Sequence, residues 1–379
     1  MPGKIINPQS VSYNSFADFK STNKGTLNEL AINFLKQINK GTQYAEIIDD
    51  IKNYLEQQNL QLSELLEQLQ KGKRQYKCLL GFCYERIPEC QDPAKAFTAY
   101  NDASQSNFPF GYLFLAACYE NGIGVRRSFA KAFKNYKKAE EYNNLQCTCI
   151  QYRLGRCYER GIGTSVNMDT AFDWYMKAAT SGNTGAQNKL GYWYEEGIHV
   201  KKDPKKAFTY YYEAAKGGFV CAQYNTAECL RLGIGTTKGA LRAFYWYQRA
   251  AENGDPNSQY WLAYHYHYGI ATAENNELAL KWYLKAAEAA TVTIEVARVY
   301  YSLGCIYDYR QLGVKRDDKK AFGWYKKASN AGVIEATKRL AKFYQNGFGT
   351  DVDIDKAYAM TLIAKEHYKE DSQNEYRYE

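Results

Sequence analysis

The 379-residue chain contains little proline, little histidine and no long apolar segment. With 7 Pro and 28 Gly, it is neither collagen-like nor a Pro/Gly-rich disordered chain. Its N-terminal residues lack the apolar core of a signal peptide, and no window approaches the roughly 18 consecutive apolar residues of a membrane-spanning helix. Since 45% of the residues are hydrophobic, we expect a folded protein with a sizeable core. From the lack of a signal peptide and of a membrane-spanning segment, we expect it to be soluble and cytoplasmic, without membrane contact.

Sets of residues that would indicate catalysis are also lacking. No Ser/His/Asp, Cys/His or paired-carboxylate group occurs at a suggestive spacing, so we expect neither enzyme activity nor a cofactor. His265 and His267 could hold a metal on a strand, but on a helix residues i and i+2 point apart, and we predict no metal site. The net charge of +8 is spread in short basic clusters, which a solvated helix face explains as well as nucleic-acid binding does.

Tyrosine is abundant, with 36 residues, and its spacing follows an internal repeat of about 36 residues. One half of a copy reads Leu190-Gly191-Tyr192-Trp193-Tyr194, and the other half reads Ala207-Phe208-Thr209-Tyr210-Tyr211. Eight copies are marked by corresponding alanines: Ala96, Ala132, Ala171, Ala207, Ala243, Ala279, Ala321 and Ala357. The second half carries seven tyrosines that we assign to the scaffold: Tyr100, Tyr136, Tyr175, Tyr211, Tyr247, Tyr283 and Tyr325.

Each half has the apolar periodicity of a helix. Ala186, Leu190 and Tyr194 fall at i, i+4 and i+8, which is one stripe of a helix with 3.6 residues per turn. Two such helices form a hairpin whose small apolar face is buried only against the next hairpin. Glycines that tolerate a left-handed backbone are expected to end the first helices: Gly122, Gly161, Gly197, Gly233, Gly269 and Gly347.

These motifs closely resemble the Sel-1-like repeat, a relative of the tetratricopeptide repeat. The resemblance covers residues 73–366 and implies an all-α fold, a right-handed α-solenoid of about eight helix-turn-helix repeats. It also implies an adaptor or scaffold that binds other proteins, in a signalling or regulatory complex. A protein kinase is one candidate partner, since similar arrays in some fungi accompany kinase-like domains.

The two ends of the chain lie outside the repeat. We expect residues 1–24 to be disordered, because they are rich in Ser, Asn and Lys. Residues 25–72 contain three apolar stripes at helical spacing and are expected to form a helical cap. Residues 367–379 are expected to be a mobile polar tail.

The ten cysteines raise one alternative, since a cysteine-rich branch of this family has disulfide-linked repeats and is sometimes given a weak enzyme activity. Here Cys83, Cys118, Cys157 and Cys229 share one register in the first helix, which indicates a small buried packing site. We therefore expect free thiols in a reducing compartment.

In tetratricopeptide relatives the first helices line the concave face of the array. By that resemblance, the residues two before and two after the leucine of the Leu-Gly motif face the groove. Cys78, Phe82, Leu113 and Ala117 hold such positions in the first two copies. In later copies Tyr and Arg are frequent there, and these residues are typical of binding hot spots.

Packing between repeats could also explain any single tyrosine at these positions. Stacking of single-stranded nucleic acid on the tyrosines, with Arg156, Lys338 and Lys342 on its phosphates, is a further alternative that we rank lower. We predict the following partner-binding residues: Tyr152, Arg156, Asn188, Tyr192, Tyr224, Glu228, Tyr260, Tyr264, Tyr301, Lys338 and Lys342.

Overall fold

The computed structural model describes residues 26–40, 44–105, 107–143, 146–289 and 291–375, without the side chains of Lys40, Ala45 and residues 366–375. The segment 1–24, for which we expected disorder, lies outside the described residues. Within them every regular element is a helix, which confirms the all-α prediction. The chain forms two compact units, Met1–Phe219 and Val220–Glu379.

The first unit contains three N-terminal helices and four helix hairpins. In each hairpin a first and a second helix pack against each other, and successive hairpins stack. A short 3₁₀ helix, Pro88–Cys90, joins the first pair. The helices are α1 (Leu27–Lys40), α2 (Tyr44–Gln58), α3 (Leu62–Gln70), α4 (Arg74–Arg86), α5 (Pro93–Ser104), α6 (Pro109–Asn121), α7 (Phe129–Glu141), α8 (Thr148–Arg160), α9 (Met168–Thr180), α10 (Thr184–Glu196) and α11 (Pro204–Lys216).

The second unit consists of four further hairpins. A second 3₁₀ helix, Gln311–Gly313, follows the longer first helix of the third of these pairs. The helices are α12 (Val220–Leu232), α13 (Ala240–Glu252), α14 (Pro256–Tyr268), α15 (Asn276–Ala286), α16 (Ile294–Tyr309), α17 (Asp318–Asn330), α18 (Ile334–Asn346) and α19 (Ile354–Glu375).

The last helix extends past the boundary that the repeat suggested. We expected a mobile polar tail from residue 367, but α19 continues to Glu375. The residues concerned include neither Pro nor Gly, so no helix breaker interrupts the backbone there.

Two glycines shape the turn between the helices of a hairpin. Gly161 ends α8 with φ +66°, a left-handed conformation that costs an L-residue energy. Gly163 follows with φ +70°, and a Cβ atom there would lie 2.1 Å from the carbonyl oxygen of Phe129 in the preceding hairpin. Gly161 therefore ends the first helix as predicted, and the Gly-Ile-Gly turn also brings the backbone close to the neighbouring hairpin.

The scaffold tyrosines form the core of the hairpins. The ring of Tyr175 packs directly on Gly155, where a Cβ atom would lie 2.7 Å from the ring, and its hydroxyl donates to Glu159 at 2.7 Å. The acceptor in most hairpins is the residue that follows the first-helix aromatic, so the buried hydroxyl is satisfied in a repeating way. All seven predicted scaffold tyrosines are at most 1% exposed: Tyr100, Tyr136, Tyr175, Tyr211, Tyr247, Tyr283 and Tyr325.

Helix α1 packs across the array of the first unit. Phe34 on α1 stacks on Phe114 of α6, with ring centroids 5.7 Å apart, and tilts onto Phe82 of α4 at 5.2 Å. Further along α1, the Asn39 side chain accepts a hydrogen bond from the backbone N–H of Thr148, at the start of α8, at 2.8 Å. Helix α1 thus contacts three first helices, with Phe34 buried against two of them and Asn39 hydrogen-bonded to the third.

A candidate binding cavity and the predicted groove residues

A cavity of about 320 Å³ lies on the first-helix face of the first unit. The first-helix face is the surface formed by α4, α6, α8 and α10 on the side that α1 contacts. Four residues at the predicted groove positions line the cavity: Phe82, Leu113, Ala117 and Tyr152. These are four of the eight groove positions in the first unit, and Tyr152 is the one predicted partner-binding residue among them.

The lining also contains residues at positions that the rule omitted. Arg153 and Phe114 both lie directly before the motif leucine or its equivalent, and Cys149 lies five residues before it. On a helix, positions i, i+3, i+4 and i+7 share a face, and Cys149, Tyr152, Arg153 and Arg156 have this spacing. The periodicity of the first helix could have identified Arg153, because the residue beside a groove position belongs to the same wide face.

Helices α1 and α2 close part of this face. Ile38 at the end of α1 and Tyr44 at the start of α2 line the cavity opposite the first helices. The Tyr44 ring packs edge-on against Phe82, with centroids 5.7 Å apart. The cavity is consequently the part of the first-helix face that α1 leaves open, with aromatic rings, charged groups and polar side chains, Glu85 among them, in its walls.

Arg153 is a cation in this cavity. Its guanidinium forms no hydrogen bond or ion pair with any residue that the structure describes. Burial acts to lower the pKa of Arg153, but the fields of Tyr136 and Glu120 outweigh this effect and raise the pKa above its ordinary value. The side chain is therefore a fixed positive charge.

Arg86, the other cavity arginine, is already engaged. Its Nη2 atom lies 2.7 Å from a Glu85 carboxylate oxygen, and its guanidinium stands 4.4 Å from the centroid of the Tyr44 ring. These contacts neutralise and hold Arg86 at the edge of the cavity.

Arg156 also has a partner within the scaffold. It contacts Glu120 at 3.4 Å, and the same carboxylate accepts the Tyr136 hydroxyl at 2.6 Å. Arg156 is thus tied to the preceding hairpin, and its availability to a partner protein remains a prediction.

The next two predicted residues lie on α10. Tyr192 is 44% exposed, and the ammonium group of Lys189 stands 5.6 Å from its ring centroid. Asn188 is partly buried on the same helix. Tyr192 is the most exposed predicted tyrosine of the first unit, whereas Tyr152 is partly buried at the cavity wall.

In the second unit, Tyr224 and Glu228 belong to a polar network on α12. The Tyr224 hydroxyl donates to Glu295 at 3.3 Å, and burial together with the charge of Glu228 raises the pKa of Tyr224. Glu228 accepts hydrogen bonds from Arg231 and from the Tyr247 hydroxyl. The fifth hairpin has Arg231 where most hairpins have the acceptor, and Glu228 accepts the tyrosine hydroxyl there instead.

The remaining predicted tyrosines differ in exposure. Tyr260 is only 8% exposed, and its ring lies 6.2 Å from that of Tyr264, which is partly buried and contacts Tyr268 at 4.5 Å. Tyr301 packs on the Tyr325 ring at 5.9 Å, and its burial and nearby Cys305 raise its pKa to about 12. Tyr260 therefore mainly packs, while Tyr264 retains accessible surface.

Both predicted lysines lie on α18 with exposed side chains. Between Lys338 and Lys342 along this helix, Arg339 pairs with Asp308 of the preceding hairpin at 2.6 Å. The structure places the two lysines on a shared helix and leaves their role in binding a prediction.

Other chemistry has little support in the described residues. No group of three His, Cys, Asp or Glu side chains there could hold a metal ion. The ten cysteines are free, although the sulfur atoms of Cys147 and Cys149 lie 2.6 Å apart. The described part of the chain has no helix that combines the length and hydropathy needed to cross a bilayer.

Comparison with known proteins identifies the repeat. The Sel1 repeat model matches seven segments, which begin with the hairpin of α6 and α7. No curated protein matches the chain. The matched residues are 109–141, 151–183, 184–219, 222–255, 256–290, 297–333 and 334–367.

Two solved structures are similar in fold. A Sel1 repeat protein from Oxalobacter formigenes is 31% identical with a TM-score of 0.58, and the match covers 66% of this chain and 98% of that one. The protective antigen c5321 of uropathogenic Escherichia coli, which displays an SLR fold, is 23% identical with a TM-score of 0.57. That match covers 89% of this chain and 76% of the antigen.

Proposed function

This chain belongs to the Sel1 repeat family, and from that premise we propose that it is a non-enzymatic scaffold that binds partner proteins through its first-helix faces. Sel1 repeat proteins are generally scaffolds for protein interaction. We further propose a signalling or regulatory complex as its setting, with a protein kinase as the first partner class to test.

One observation carries this proposal: the first-helix face already binds a helix, namely α1. Phe34 and Leu35 of α1 are 2% and 1% exposed, and Phe34 contacts rings on two hairpins. An amphipathic helix in a groove is a common mode of protein recognition, in which apolar side chains at helical spacing serve as anchors. The face is thus suited in shape and polarity to protein segments.

Each unit, taken by itself, has a predicted binding tyrosine with accessible ring area on a first helix. Tyr192 and Tyr264 keep accessible ring area on first helices, and tyrosine contributes large, rigid contact area at low entropic cost. The ten cysteines without a disulfide support a reducing, cytoplasmic setting. We propose no catalytic role for any of these residues.

The test is quantitative capture of partners by the full chain. Wild type and the double variant Tyr192→Ala/Tyr264→Ala are immobilised, captured proteins are identified by mass spectrometry, and the recovered partner is titrated against both. We expect binding to weaken by at least about tenfold, the size of one hot-spot contact.

A matched control substitutes tyrosines on second helices of the same two units. Tyr212 on α11 and Tyr245 on α13 are 37% and 49% exposed, so the variant Tyr212→Ala/Tyr245→Ala removes comparable surface elsewhere. We expect its affinity to stay within about twofold of wild type. An equal loss of affinity in both variants, or no loss in either, would contradict binding through the first-helix faces.

A further inference from the structure

The cavity holds the positive charge of Arg153, which has no ion-pair partner among the described residues. Cationic residues at the same position of other hairpins do have one. The residue before the motif leucine is also cationic in two later copies, as Lys189 and Arg339. Lys189 pairs with Glu159 at 2.7 Å and Arg339 pairs with Asp308 at 2.6 Å, each a carboxylate of the preceding hairpin. The equivalent carboxylate for Arg153 is Glu120.

Glu120 is already occupied by other groups. One of its oxygens contacts Arg156 and the other accepts the Tyr136 hydroxyl. Arg153 therefore faces the cavity without the ion pair that the same position makes in two other copies. Arg153 is partly buried, and a partly buried guanidinium favours a carboxylate partner because two parallel N–H···O bonds satisfy both groups.

The walls of the cavity are suited to an apolar group beside that carboxylate. Phe82, Phe114, Tyr44 and Tyr152 contribute ring surface, and Leu113 contributes aliphatic surface. A volume of about 320 Å³ lies at the lower end of the range for ligand pockets. The cavity accommodates a single side chain together with a carboxylate. A whole helix would not fit beside it, because α1 already covers the adjoining part of the first-helix face.

We propose that this cavity binds the C-terminal residue of a partner protein, with its α-carboxylate on Arg153 and its aromatic or large aliphatic side chain against the ring walls. A chain end delivers both groups from one residue, whereas an internal acidic segment would need room for two residues and for backbone that leaves the cavity. This inference rests on the proposed scaffold function, since it names the part of a partner that one first-helix face recognises.

The test uses N-acetyl-L-phenylalanine as a probe of the chain end, with the full-length protein and saturation-transfer NMR. We expect transfer to the ring protons of the probe. The amide of the same compound lacks the carboxylate and should bind at least tenfold more weakly. N-acetyl-glutamyl-phenylalanine amide represents an internal acidic residue and should also bind more weakly.

Variants of one helix provide the control for Arg153. Arg153→Met keeps an unbranched side chain without the charge and should lower the affinity for the probe by at least tenfold. Arg153→Lys should retain part of that affinity. Arg160→Met changes an exposed arginine of the same helix and should leave binding unchanged. Circular dichroism and thermal melting of each variant establish that the fold is retained.

Several results would overturn the inference. The first is no saturation transfer to the probe at 10 mM, on the order of the weakest fragment affinities. The second is equal affinity for the acid and the amide. The others are displacement of the probe by inorganic phosphate as readily as by unlabelled acid, and unchanged probe affinity in Arg153→Met. If the wild-type protein captures its partner but does not bind the probe, the cavity proposal is rejected and the scaffold function still stands. Probe binding without partner capture would reject the scaffold function instead.

Discussion

Replacing Gly155 by alanine should destabilise the protein, although alanine is the better helix former. In the interior of a helix, Gly→Ala contributes about 0.5–1 kcal/mol of stability. At this position the new Cβ atom would lie 2.7 Å from both Cδ1 and Cε1 of Tyr175. That ring is fully buried and its hydroxyl is held by Glu159, so it has no free space into which to move.

The magnitude follows from these two opposing effects. Overpacking a well-packed core costs about 1–3 kcal/mol, and a contact almost 1 Å too short against a buried ring lies in the upper part of that range. Subtracting the helix-propensity gain leaves a net loss of about 1–2 kcal/mol.

The matched control is Gly323→Ala on α17. Gly323 is exposed in the middle of its helix, and a Cβ atom there would meet no atom within 4 Å. This variant should therefore show the propensity gain alone, about 0.5–1 kcal/mol. Urea unfolding measures both changes, and amide hydrogen exchange assigns them to α8 and α17. Stabilisation by both substitutions would refute the reasoning that the motif glycine is required by the tyrosine ring.

Three further predictions concern the scaffold and its thiols. Tyr175→Phe should cost about 1–2 kcal/mol in urea unfolding, because the ring stays but its hydrogen bond to the Glu159 carboxylate is lost; an unchanged midpoint would show that the bond contributes nothing. Leu190→Ala should cost about 2–5 kcal/mol by the same measurement, since Leu190 is 0% exposed and its removal leaves a cavity; a cost below about 1 kcal/mol would mean that the hairpins collapse around it. Mass spectrometry after thiol alkylation at pH 8 should show that exposed Cys221 reacts well before Cys157, because burial raises the pKa of Cys157 to about 12. All ten cysteines should react once the chain is unfolded. Fewer than ten reactive thiols would support the disulfide-linked alternative.

Much of the fold could be predicted from spacing because the repeat makes each local signal recur. The left-handed glycine that ends a first helix and the tyrosine that fills a hairpin are fixed by nearby residues, as for Gly161 and Tyr175. A sequence pattern that is set within one hairpin and its neighbour is readable from one chain.

The location of α1 could not be predicted in this way. Its apolar stripe indicated an amphipathic helix, but many surfaces could bury such a stripe. The contact between Asn39 and Thr148 joins residues 109 positions apart, and no local pattern encodes it.

The candidate site was predicted in part for a related reason. Positions such as Tyr152 follow from the repeat register, whereas the state of each charge depends on competition among several neighbours. Glu120 binds Arg156 and Tyr136, and this is what leaves Arg153 unpaired. Glu228, expected at the groove, is used by the scaffold because Arg231 replaces the usual acceptor.

The placement of α1 also changes how the first unit should unfold. In a simple repeat array each hairpin interacts only with its immediate neighbours, so stability can be lost one end at a time. Helix α1 contacts α4, α6 and α8 together, and so it couples hairpins that are not adjacent. Fraying of the first hairpin would expose the apolar stripe of α1 and weaken the third hairpin at the same moment. The N-terminal half of this array is consequently expected to open as a single cooperative block, and its formation must await a contact between distant parts of the chain.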